Sequence, residues 1–144
     1  MADRYDRLYV FTSFAIQLVL VLYFALRKWD FSSAMKVGWA VYALGIPAVI
    51  ISVVLYLGHK PWYLWAAGVL FAAWTVVGYL VDMHYQIPWR YPIRWSVLIP
   101  YISLYLSSIM FYWWPLARIQ RPLWFVYAAL FLLSTYFNVT SHEW

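Results

Sequence analysis

Residues 8–26, LYVFTSFAIQLVLVLYFAL, run for nineteen positions without an Asp, Glu, Lys or Arg and are closed by Arg7 on one side and by Arg27 and Lys28 on the other. At about 1.5 Å per residue a helix of that length crosses the ~30 Å hydrocarbon core of a bilayer. Hydrocarbon supplies no water to the peptide groups, so a lone segment must close its backbone hydrogen bonds within itself, which only a helix does. A secretory leader is the competing reading, but its apolar region runs about 7 to 15 residues before a small-residue cleavage site. This run is longer and meets Arg-Lys-Trp, so it reads as a retained span.

Four more charge-free runs follow, at 37–57, 62–81, 96–114 and 123–139. The composition agrees, with 67% hydrophobic and 10% charged residues, against about 45–50% and about 25% in soluble domains. The expected fold class is all-α: a single polytopic transmembrane domain over residues 1–144, built as a bundle of five helices with short loops. The chain is expected to be integral to a membrane and multi-pass, with the lipid bilayer as its first partner. The net charge of +5 comes from ten Lys and Arg that sit at span ends. Anionic headgroups are their natural partner there, and nucleic acid is excluded. There is no cysteine, so disulfides, thiolate metal sites, iron–sulfur clusters and cysteine nucleophiles are excluded too.

Polar residues inside the spans carry the next inferences. Gln17 shares a face with Ser13 and is expected to hydrogen-bond a neighbouring helix, worth about 0.6 to 2 kcal/mol, with ligand contact as the alternative. Pro47 falls in the middle of the second span and predicts a bend, since it removes a backbone bond. Gly58, His59, Lys60 and Pro61 read as a tight turn that makes spans two and three antiparallel neighbours. In the third span Gly68, Ala72, Thr75, Tyr79 and Asp82 recur at steps of four and three, a seam of small or polar residues that predicts a central packing helix. Asp82 ends that stripe, within reach of Arg90 or Arg94. The segment Ile87-Pro88-Trp89-Arg90-Tyr91-Pro92-Ile93-Arg94-Trp95 alternates rings and cations, which suits the headgroup level.

The fourth span carries Tyr101, Tyr105, Ser108 and Tyr112 on one stripe and Ser103 and Ser107 on a second, with Pro100 expected to bend its first turns. A tyrosine inside a bilayer needs a partner for its hydroxyl, so the first stripe is expected to face protein or a cavity. The last span places Ser134 and Asn138 on one face, and Asn138-Val139-Thr140 reads as a chance match to a glycosylation site. Five spans put the two termini on opposite sides. Arg4, Arg7, Lys60, Arg118 and Arg121 then oppose Arg27, Lys28, Lys36, Arg90 and Arg94, which leaves no positive-inside bias.

Function is approached first by exclusion. No lysine lies within a span, which removes a retinal-type Schiff base, and no histidine, which argues against a deeply buried bis-histidine haem. No acidic residue sits at mid-membrane for coupled transport, and there is no phosphate loop, HExxH or GxSxG. Asp82, His84, Asn138, His142 and Glu143 gather on the C-terminal side, but their spacing fits no ligand pattern, so no metal site is assigned. Asp82 and His84 stand as the only acid–base candidates.

What remains is the ring content, 24% aromatic with 11 Trp and 14 Tyr, more than interfacial belts require. Trp74, Tyr79, Tyr101 and Tyr105 fall inside spans, where they can line a pocket for a flat or long apolar ligand. The expected reading is a non-enzymatic binder of a lipid, quinone, carotenoid or porphyrin, in a pocket between spans one, three and four. The residues expected at it are Gln17, Thr75, Tyr79, Asp82, His84, Arg90, Arg94, Tyr101, Tyr105 and Asn138; no cofactor is assigned. Two alternatives belong to other classes. One is an accessory or assembly subunit of a larger membrane complex, or a homo-oligomer; the other is a membrane enzyme or small-molecule carrier using Asp82 and His84 at the interface. In its Leu98-Ile99-Pro100-Tyr101 run, its length, its five spans and its tryptophan richness the chain superficially resembles the tryptophan-rich sensory protein (translocator) family, which binds porphyrins and sterols. That run sits in the fourth span here rather than the last, and the family's tryptophan-proline-proline loop has no counterpart, so no site residue is carried over.

Overall fold

A computed structural model describes residues 4–81 and 94–141, and all regular structure among them is helical. The elements are α1 (Arg4–Trp29), α2 (Phe31–Ala43), α3 (Gly45–Leu57), α4 (Trp62–Tyr79), α5 (Trp95–Trp113), α6 (Leu116–Ile119) and α7 (Arg121–Ser141). Among the described residues five stretches are long and apolar enough to cross a membrane: Arg4–Trp29, Lys36–Leu57, Trp62–Tyr79, Trp95–Ile119 and Arg121–Thr140. These are the five expected spans, and the chain is a multi-pass membrane protein by length and hydropathy.

The two span prolines behave differently. Pro47 ends one helix and helps start another: a turn at Leu44 separates α2 from α3. Its ring would strike the carbonyl four residues back, that of Ala43, and it has no N–H to bond there. The ladder resumes at once, with the Ala48 N–H donating to the Leu44 carbonyl at 3.1 Å. Pro100, in contrast, sits inside an unbroken α5. The carbonyl it deprives is that of Ser96, near the helix start, so little of the ladder depends on that bond.

Asp30, between α1 and α2, caps α2. Its carboxylate accepts from the Ser33 hydroxyl at 2.6 Å and from the Ser33 N–H at 3.2 Å. These two bonds, the hydroxyl's foremost, hold its carboxyl below the usual 3.8. A depressed carboxyl stabilises the fold fully above its unfolded pKa and loses that contribution as pH falls through the lowered value. Asp30→Asn is therefore expected to lower stability at pH 7, where the carboxylate contributes in full, and to flatten the acid limb below about pH 4, as thermal melts across pH would record.

The close contacts gather into two units, divided after Val41 and after Tyr112. In the first, α1 packs along α7. The buried positions of α1, Tyr9, Thr12, Ser13, Ile16, Gln17, Leu20, Val21, Phe24 and Arg27, recur at steps of one to four and follow one helical face. Phe14 meets Tyr127 edge-on at 5.7 Å, Gln17 reaches Leu130 and Ser134, and Trp29 meets Phe137 at 5.2 Å. Both numbers rise together, so α1 and α7 run parallel, as the first and fifth of five crossings must. At their shared C-terminal end the Lys28 ammonium donates to the Tyr136 hydroxyl at 3.3 Å and lies 4.5 Å over that ring. A cation there also faces the negative ends of two helix dipoles.

The second unit is anchored by the α3–α4 hairpin. Tyr42 stands opposite Gly78, Gly45 opposite Thr75, Ser52 opposite Gly68 and Tyr56 opposite Trp65, a regular antiparallel register. The turn that sets it closes α3 with a paired motif: the His59 N–H donates to Tyr56 and the Lys60 N–H to Leu55, both at 3.1 Å. His59, not Gly58, takes the left-handed conformation there, with φ 56°.

Candidate functional site: a ring cluster around Trp74

The buried face of α4 comprises Leu64, Ala67, Gly68, Phe71, Trp74, Thr75 and Gly78. One edge of it is small and meets α3 at close quarters. A Cβ on Gly68 would lie 2.5 Å from the Ala48 carbonyl oxygen, and one on Gly45 would lie 3.1 Å from the Thr75 Cβ. Small residues admit this approach in lipid, where larger apolar side chains gain little by leaving the hydrocarbon tails.

The other edge is aromatic. The Trp74 indole is 2% exposed and is surrounded by Tyr42 at 5.6 Å, Phe71 at 5.5 Å, Tyr101 at 5.7 Å and Tyr105 at 5.3 Å between ring centroids, all tilted. Phe71 extends the cluster to Tyr112 at 6.4 Å. Beside it the Tyr42 and Tyr101 hydroxyls stand 3.4 Å apart. Thr75 and Ser108 turn their hydroxyls back to their own helix, onto the Ala72 and Tyr105 carbonyls at 2.7 and 2.8 Å. The Trp74 Nε1–H, buried among these rings, has no hydrogen-bond partner. A buried orphan of this kind costs about 1–3 kcal/mol.

These side chains offer π faces, phenolic hydroxyls and one indole donor. They can stack a flat apolar surface and fix it by one or two hydrogen bonds. Among the described residues no charged side chain belongs to the cluster, and no three of His, Asp and Glu converge.

The residues singled out from sequence separate as follows. Tyr101 and Tyr105 lie in the cluster, and with Ser108 and Tyr112 they form the expected protein-facing stripe, although Ser103 on the second stripe is exposed. Thr75 belongs to the seam with α3, against Gly45. Tyr79 is 47% exposed, off the buried face, because the seam with α3 passes Gly68, Ala72 and Thr75 and then turns to Gly78 rather than to Tyr79. Gln17 is fully buried in the first unit, where its Nε2 donates to the Ser134 hydroxyl at 2.8 Å and to the Leu130 carbonyl at 3.3 Å. This is the expected helix–helix bond. Gln17→Leu and Ser134→Ala combined in a cycle are expected to show a coupling of about 0.6 to 2 kcal/mol in mixed-micelle unfolding. Arg94 is exposed just before α5, and Asn138 is half-buried on α7. Asp82, His84 and Arg90 lie outside the described residues, as do His142 and Glu143.

Tyr42 and Phe71 were not anticipated. Phe71 was legible as the residue three before Trp74 and three after Gly68, had the seam been allowed a large ring. Tyr42 had a fainter signal in Gly78, whose missing side chain makes room for it. No family model, curated protein or solved structure matches this chain.

Proposed function

We propose that the protein is a non-enzymatic binder of a flat lipophilic molecule, held in the second unit at the Trp74 cluster. The observation that carries this reading is a tryptophan enclosed by four rings, with tyrosine hydroxyls beside it and no charge in the group. Packing alone is served as well by aliphatic side chains, which need no hydrogen-bond partner in lipid. The seam between α3 and α4 is closed by glycine contacts to backbone and cannot widen without moving a helix. Between α4 and α5 the contact is made by rings, which turn about their side-chain bonds. That seam is where a planar guest enters from the bilayer.

The test is to purify the protein in mild detergent and record its absorption spectrum, its co-purifying small molecules by mass spectrometry, and its native mass. A coloured or lipophile-loaded protein at near-stoichiometric amount is the expected result. An empty chain that is stable only with other polypeptides would replace this reading with that of an assembly subunit.

A further inference from the structure

The proposed reading leaves the guest's chemistry open, and the orphan donor narrows it. The indole Nε1–H is a donor only; it cannot be satisfied by another donor or by hydrocarbon. Phenolic hydroxyls, by contrast, both give and accept, so Tyr42 and Tyr101 do not discriminate among guests. Trp74 lies within a span, where water is scarce, so its N–H competes with little solvent for whatever acceptor arrives. A charged guest would find no counter-charge among the described residues of the cluster and would bear the cost of leaving water.

On the basis of that reading, we infer that the Trp74 Nε1–H is the polarity-determining contact, and that the guest is a neutral flat lipophile bearing a carbonyl oxygen. A quinone or a keto-ringed polyene has this chemistry. Its carbonyl accepts from Trp74 while its ring plane lies against Tyr101 and Tyr105. The neighbouring tyrosine hydroxyls supply a second donor beside it, which a second oxygen of the guest can use.

The experiment uses the full chain in nanodiscs and two probes of the same skeleton, radiolabelled 2-methyl-1,4-naphthoquinone and 2-methylnaphthalene, with retention on empty nanodiscs subtracted. Wild type is expected to hold the naphthoquinone more tightly than the hydrocarbon. Trp74→Phe keeps a ring in place and removes the N–H, and is expected to cut the preference for the naphthoquinone over the hydrocarbon about tenfold, whatever it does to the two affinities in common. Infrared difference spectra of the wild type alone give a readout independent of any variant: the bound carbonyl stretch moves to lower frequency than in lipid. Equal retention of both probes, with no carbonyl shift, overturns the carbonyl inference and leaves lipophile binding standing. Retention of neither probe above empty nanodiscs overturns both the inference and the reading it rests on.

Discussion

Gly68→Leu is expected to leave no folded second unit. The Gly68 Cα faces the Ser52 side chain and the Ala48 carbonyl, and even a methyl group would sit 2.5 Å from that backbone oxygen. Gly68→Ala alone is expected to cost about 1–3 kcal/mol, and leucine, with three further carbons in the same place, more than that. Domains are stable by only about 5–15 kcal/mol, so the larger change removes much or all of the margin. The Ser52→Gly change should restore only part of the Gly68→Ala loss, because it clears the hydroxyl but not the carbonyl. Size-exclusion profiles and melting in detergent measure this. Val76→Leu, on a 57% exposed position of the same helix, is the neutral control. A Gly68→Leu protein that elutes and melts like the wild type would refute the α3–α4 register.

Trp74→Ala comes next in size, at about 3–5 kcal/mol of unfolding free energy. The indole is 2% exposed and touches four other rings, so alanine leaves a large void lined by side chains from three helices. Tilted rings at these separations also couple optically, and near-ultraviolet circular dichroism should lose amplitude along with stability. A loss under about 1 kcal/mol would mean that the rings do not form a packed core.

Much of this was legible because a bilayer simplifies the problem. A charge-free run of about twenty residues has one regular solution in hydrocarbon, so the five spans could be located to within about five residues at each end. The Gly58-to-Pro61 turn was readable for a similar reason, since nothing else joins two spans in four residues. The face of α4 was harder. Gly68 and Thr75 were correctly assigned to the seam, but small and polar residues alone drew the stripe through Tyr79, whereas the buried face also takes Phe71 and Trp74. In water, rings would have marked the inside; in lipid, rings are at home on both faces, and sequence does not say which are enclosed. The break at Leu44 was foreshadowed by Pro47, but its place three residues earlier follows from the clash with Ala43, which depends on backbone geometry. Of the cluster, Trp74, Tyr101 and Tyr105 were legible, whereas Tyr42, far from Trp74 in the chain, joins it only through the fold.

The parallel packing of α1 and α7 also sets an order of events during synthesis. Helices α3 and α4 can zip together as soon as both have entered the bilayer, because only the turn after Leu57 separates them. The first helix has no such neighbour: the Gln17 amide waits for Leu130, 113 residues later. At ribosomal speeds of ~5–20 residues per second that delay is on the order of 10 s. Throughout it, a polar amide near the middle of the first span must be sheltered by the insertion machinery, a chaperone or a transient partner helix. Helix α1 is made well before the helix it packs against, and translation arrested before α7 would leave it without that partner in the membrane.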